Sequence, residues 1–205
     1  MVYVSIDLET AGLDWKTMPI LEFGAVLEDT NNPLPIEDLP KFHAYIKPKN
    51  GVITGDVYAL DLNKNIINKL KDWKDLEDRY NFINENELAD EFLFWLHSQG
   101  IELDIKYEGT DREYKCCTIN VAGKNFNGFD RHFLEHIPDF SKKIRMRTRT
   151  LDPSVLFVDW AEDDSLPSLS KAKERAGLSE IVSHTAVDDA TDVIKLLRKS
   201  YIKDL

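Results

Sequence analysis

The stretch SIDLETAGLD, residues 5–14, decides how the rest of this chain is read. With the preceding MVYV it is rich in Val, Tyr and Ile and alternates, which predicts a strand over 2–8. Gly12 and Asp14 then mark a turn. Asp7 and Glu9 break into a segment that otherwise reads as buried, and a buried carboxylate is costly unless something positive holds it. Being two apart, they emerge from the same face of the strand. Two adjacent anions raise each other's pKa unless a cation lies between them, and Mg²⁺ and Mn²⁺ prefer such oxygen ligands. Spacing alone leaves two readings: a divalent-cation site, or a strand end where both groups are solvated.

Working outward, ILEFGAVLE (20–28) and FHAYI (42–46) are further strands, separated by a Pro/Asn-rich tip at 30–35. Three short strands in succession predict an antiparallel meander. A short helix is expected near 61–71, and ENELADEFLFWLH (85–97) places Leu88, Phe92, Trp95 and Leu96 on one helical face. IELDIKY and EYKCCTINV flank the turn-like EGTD, which predicts a hairpin whose second arm is a central strand. Helices follow at 130–137, stopped by Pro138, at 168–176, ended by Gly177, and at about 185–199. Strands first, then helices and strands in alternation, predict an α/β sandwich around a mixed sheet. The expected organisation is one domain over 1–205 with a β-hairpin elaboration around 101–117.

The formal net charge is −11, from 37 acidic and 26 basic residues, which argues against coating long duplex DNA by counterion release. It leaves room for a nucleic-acid enzyme, because a site for divalent cations is itself acidic. Cys116 and Cys117 are neighbours; on a strand they point to opposite faces and make a poor disulfide or metal clamp. The expected setting is reducing and cytoplasmic. The N-terminal residues lack the basic head and apolar run of a secretion signal, and no stretch is long enough to cross a bilayer.

Three further segments carry candidate chemistry. In KNFNGFDRHFL, Gly123 and an Asn-rich turn deliver Asp130 to the start of a helix, where an Asp is also an ordinary first-turn residue. Asn125 and Asn127 either fasten that loop or simply form the turn. HTAVDD (184–189) opens the last helix, and the positive helix end favours a neutral His184, suited to accept a proton. From the local sequence the same His reads first as a cap or surface residue, and Asp188, Asp189 and Asp192 leave the choice of ligand open. In KKIRMRTR, Lys143, Arg145, Arg147 and Arg149 share one face if the segment is extended. That face is either a phosphate track or a sheet edge protected by charge.

Taken in order, SIDLETAGLD, NFNGFD and HTAVDDA resemble the three exonuclease motifs of the DEDD superfamily, in its histidine-containing (DEDDh) branch. The middle, NFNGFDRHFL followed by RTLDPSVL (149–156), is similar to oligoribonuclease. The resemblance implies a ribonuclease H-like α/β fold: a mixed five-stranded sheet flanked by helices. It implies a metal-dependent 3′–5′ exonuclease that releases 5′-mononucleotides from 3′ ends of short or single-stranded RNA or DNA. Asp7, Glu9, Asp130 and Asp189 would hold two divalent cations, Mg²⁺ or Mn²⁺, with His184 as proton acceptor. Thr10, Leu13, Asn125, Phe126 and Arg149 would contact substrate. Leu13 is expected beside the last base, its alternative being a turn residue dropped into the core. Phe126 is a candidate stacking partner. The relatives also suggest a homodimer, for which Trp73, Phe94 and Trp160 are candidate interface aromatics. Two departures stand. Glu–Thr–Ala–Gly after Asp7 looks more like DNA exonucleases than like oligoribonuclease's Glu–Met–Thr–Gly. The segments 101–117 and DWAEDD (159–164) have no counterpart. A DNA-preferring repair or proofreading exonuclease, and a non-catalytic nucleic-acid-binding module, are the alternative readings.

Overall fold

Even-numbered residues of the first strand face one layer of helices and odd-numbered ones face another, so the strand is covered on both sides. A computed structural model describes residues 1–178 and 185–202. Strand β1 (Val2–Thr10) pairs antiparallel with β2 (Ile20–Asp29), and β2 with β3 (Lys41–Ile46), which is the expected meander. The chain then leaves the sheet for α1 (Val57–Leu62), α2 (Lys64–Lys71) and α3 (Trp73–Leu76). It returns as β4 (Phe82–Ile83), parallel to β3, and continues into α4 (Leu88–Ser98), whose entry carries a capping box between Asn84 and Glu87. Next come β5 (Asp104–Lys106), β6 (Tyr114–Ile119) and β7 (Val121–Ala122). They are followed by α5 (Asp130–His136), α6 (Phe140–Lys143), β8 (Ile144–Met146), α7 (Leu169–Arg175) and α8 (Ala186–Tyr201).

The main sheet is mixed and five-stranded, in the order β4-β3-β2-β1-β7; β5-β6-β8 form a smaller one. The expected central strand is therefore divided. β6 is the middle strand of the small sheet, while only Val121 and Ala122 reach β1, at the edge of the large one. Asn120 makes the division: its carbonyl accepts the Val4 N–H (2.9 Å) and its side-chain amide donates to Val2 O (2.8 Å). Cys116 and Cys117 are both buried and unbonded to each other. The basic stretch does not form one extended face. Lys143 ends α6 with its ammonium 2.6 Å from Asp90, and the strand stops at Met146.

Val4, Ile6 and Leu8 pack with Phe23, Phe42, Phe92, Phe133 and Phe140 in the larger core, between the sheet and α4–α6. Tyr3 and Val26 pack on Ala190, Val193, Ile194 and Leu197 of α8 on the other face. Strand alternation therefore points Ser5, Asp7 and Glu9 toward α8. That helix is locked in register by charge. Arg198 donates to Glu28 Oε2 through Nε (2.7 Å) and to Leu34 O through Nη2 (2.7 Å), while Lys173 of α7 pairs with Asp192. Breaking such a buried pair costs about 3–5 kcal/mol. The acidic run at 159–164 is a turn gripped by Arg175, whose Nη2 donates to Asp163 Oδ1 (2.8 Å) and which holds that carboxyl down at about 2. No helix among the described residues is long and apolar enough to cross a membrane.

Candidate active site

The site forms where α8 starts against β1 and β2. Gly24, paired across the ladder with Asp7, makes the approach possible: a Cβ there would lie 2.3 Å from the Ala186 carbonyl carbon and 2.4 Å from the Val187 nitrogen. Glu22, opposite Glu9 and fully buried, receives the helix. Its Oε2 accepts the Ala186 N–H (3.1 Å) and its Oε1 lies 2.5 Å from His43 Nε2 on β3. Thr185 caps α8 by accepting the Asp188 N–H, and the first turn delivers Asp189 to the sheet. Gly24→Ala is accordingly expected to cost about 1–3 kcal/mol, because the obstacle is backbone and cannot rotate away. Thermal melting checks this, an unchanged midpoint being the contrary result.

Ligand oxygens of Asp7, Glu9 and Asp189 all lie within 4.8 Å of one another. Asp130 arrives from the start of α5. It does not cap its own helix; its Oδ1 accepts the Leu8 N–H (3.1 Å), tying α5 to β1 one residue past Asp7. It stands outside the group of three, yet its charge is the strongest neighbouring influence on Asp7. Burial first, then the charges of Asp130, Asp189, Glu9 and Glu22, push the Asp7 carboxyl well above the usual range. Glu9 is pushed up to about 7 by burial, with Asp189 and Glu22 adding to it. Asp130 rises to about 7 through burial, opposed by its own amide and that of Leu8. Asp189 also rises to about 7, through burial and the Asp192 charge, with Lys173 opposing.

Such a cluster is repulsive as it stands, and it has an open valence. Asp189 Oδ1 is buried without a hydrogen-bond partner among the described residues. An unpaired buried carboxylate oxygen beside two other carboxylates suits a hard divalent cation, which takes oxygen ligands and offsets their charge. Asp7, Glu9 and Asp189 can therefore coordinate a metal ion.

The remaining candidates divide. Leu13 is 78% exposed, which rules out a core role and leaves it free at the end of β1. Thr10 is buried and its hydroxyl donates to Gly12 O (2.8 Å), so its side chain braces the turn that leads to Leu13. Phe126 is a correction: at 1% exposed it belongs to the larger core, and no face is left for a base to stack on. Asn125 forms the turn, at φ +54°, with its N–H donating to Asp152 Oδ2 (2.9 Å); Asn127 does the fastening, to Thr148 O and Thr150 Oγ1. Arg149 is exposed and has no ion-pair partner among the described residues. His184 lies outside the described residues.

Sequence reasoning missed Glu22, Gly24 and Asn63. Glu22 carried the same signal as Asp7, an acid inside an apolar strand. Asn63 follows α1, donates to Thr10 O (3.1 Å) and acts to lower the Glu9 carboxyl's pKa, against the larger effect of burial. No local pattern marks it, since its partner lies 53 residues away.

No protein-family model and no curated protein matches the chain. Solved structures do. Cell-death related nuclease 4 (CRN-4) superposes with a TM-score of 0.59 at 18% identity, over 97% of this chain and 62% of that one. E. coli exonuclease I in complex with a dT13 oligonucleotide gives 0.59 at 17%, over 98% of this chain and 41% of that one. The nuclease domain of 3′hExo, a DEDDh family member bound to rAMP, gives 0.57 at 16%, over 97% and 90%. The chain thus spans about three fifths of the first of these proteins and two fifths of the second. The fold that the chain shares with these structures is a ribonuclease H-like mixed five-stranded sheet flanked by helices. The likeness does not single out oligoribonuclease.

Proposed function

We propose that this protein is a metal-dependent 3′–5′ exonuclease acting on single-stranded or short oligonucleotides and releasing 5′-mononucleotides. The observation that carries the reading is the meeting of Asp7, Glu9 and Asp189 oxygens within 4.8 Å, with Asp189 Oδ1 unpartnered among the described residues. These three, with Asp130, would hold two divalent cations, Mg²⁺ or Mn²⁺. Such ions supply charge stabilisation for a phosphoryl oxygen and its leaving group. The chain's own groups do the rest. Leu8's amide and Asp130 hold α5 against β1, which keeps Asp130 facing Asp7. Glu22 seats the α8 N-terminus and so fixes the approach of Asp189. His184, just before that helix, would take the proton of the attacking water, a role that suits a group titrating near working pH. The exposed Leu13 would pack on the terminal base, and Arg149 would meet a phosphate further along the strand. Single-stranded ends suit such a site because their bases are already unstacked.

The deciding experiment incubates end-labelled RNA and DNA oligomers, from dinucleotides upward, with Mg²⁺ or Mn²⁺ and with chelator. Nucleoside 5′-monophosphates should appear from the 3′ end in the metal-containing reactions and vanish with chelator. Binding without any metal-dependent release would instead mark a non-catalytic binding module. Parallel DNA and RNA arms also decide between the oligoribonuclease-like substrate and the DNA preference suggested by Glu9–Thr10–Ala11–Gly12.

A further inference from the structure

Three hollows open at the sheet end that carries Thr10, Ile20 and Ile46, and they share walls. The first, about 340 Å³, starts at Trp15, two residues past Leu13, and is bounded by Lys16, Lys49 and the α5 residue His136. The second, about 390 Å³, lies between the segments 47–50 and 84–86 and shares Lys49 and Glu85 with the first. The third, about 680 Å³, shares Lys47, Pro48 and Asn84 with the second and ends on Lys71 and Trp73. Each falls in the size range of small-ligand sites.

The lining reverses the character of the molecule. In a chain of net charge −11, Lys16, Lys47, Lys49 and Lys71 border this run; none is within ion-pair distance of a carboxylate among the described residues, although Lys16 and Lys47 act at longer range on Asp14 and Glu87. Glu85 is the acidic side chain among the lining groups. An aromatic stands at each end beneath a cation. Lys16 Nζ is 5.2 Å from the Trp15 ring, and Lys47 Nζ is 4.9 Å from the Trp73 ring. Trp15 is braced by His132 and His136, with ring centroids 5.8 and 5.5 Å away. Cations spaced along a groove with no carboxylate in direct contact, and with indoles beside them, match a flexible polyanion that carries flat bases.

We propose that this run of hollows is the track for the single strand on the 5′ side of the terminal nucleotide. The assignment of direction rests on the exonuclease reading above; the charge and stacking argument stands on the groove. The lysines follow phosphates, and Trp15 and Trp73 take bases without regard to sequence.

The test replaces Lys47, Lys49 and Lys71 together by Glu, with Lys→Gln at the same positions as a milder variant and Lys199→Glu, exposed near the end of α8, as the control. Affinity for a fluorescent single strand of about twelve nucleotides is measured in chelator, for both sugars. The triple Glu variant should bind roughly tenfold or more weakly, and its plot of log affinity against log salt should be shallower by about two, at about 0.7 per phosphate contact. The Gln variant should fall between it and the wild type, and the control should match the wild type. With metal present, KM for the long strand should rise several-fold more than KM for a dinucleotide with the same 3′ residue. Wild-type affinity in the triple variant, no single-strand binding by the wild type, or equal losses on long and short substrates overturns the track. Binding that the variant loses, without hydrolysis by any form, keeps the track and discards the enzyme. Hydrolysis that the variant leaves unchanged on long strands keeps the enzyme and discards the track.

Discussion

In Asp7→Asn, metal-dependent release of nucleotides should fall by about 10³-fold or more, while the metal-free protein melts higher than the wild type at pH 8. Both effects come from one position. Asp7 sits among Asp130, Asp189, Glu9 and Glu22, and burial together with their charges opposes its ionisation. Asparagine keeps the shape and removes the charge, so a repulsive contact disappears from the folded state. Losing one ligand of a metal site that stabilises a phosphoryl transition state forfeits several kcal/mol. About 4 kcal/mol corresponds to the stated thousandfold. Turnover and melting are measured on the same preparation. Wild-type turnover would contradict the assignment of Asp7, and a lower metal-free midpoint would contradict the electrostatic account.

The second large effect is on stability. Glu9, Asp130 and Asp189 each hold their proton to about pH 7 in the folded chain, against an ordinary carboxylate value near 4 when unfolded. Between those limits the folded state binds more protons than the unfolded one, so stability falls as pH rises. Each such carboxyl costs about 1.4 kcal/mol per pH unit across the window. The chelated protein should therefore lose melting temperature steadily from pH 5 to about 7.5. Asp163, held at about 2 by Arg175, acts in the opposite sense but only at lower pH. Mg²⁺ or Mn²⁺ binds the deprotonated carboxylates, so it should restore stability near pH 7.5 and do little near pH 5. A pH-independent midpoint, or equal stabilisation by metal at both values, would count against a shared cation site.

Local pattern made the meander, α4 and α8 legible, because alternation and helical spacing depend on neighbours in the chain. The acids were legible for a related reason: Asp7 and Glu9 violate the apolar pattern around them, and Asp130 and Asp189 stand at helix starts. Where reading failed, the cause was distance. Phe126 looked available for stacking because it follows an Asn-rich turn, but its ring drops into the core shared with Phe133 and Leu8. KKIRMRTR looked like one face because its cations alternate, whereas Lys143 is drawn into α6 by Asp90. The strand around 116–122 looked uniform, and Asn120 splits it between two sheets.

By itself the sequence determined which residues carry charge, which strand they interrupt and in what order the helix starts follow, since these are properties of short segments. Only the tertiary structure decided that the acids meet. Gly24 lets α8 touch the sheet beside Asp7, Glu22 binds that helix end from 164 residues away, and Leu8's amide reaches Asp130 across 122. Convergence is a property of packing, because a carboxylate's pKa and its ligand geometry depend on what surrounds it in space and not on what precedes it in the chain.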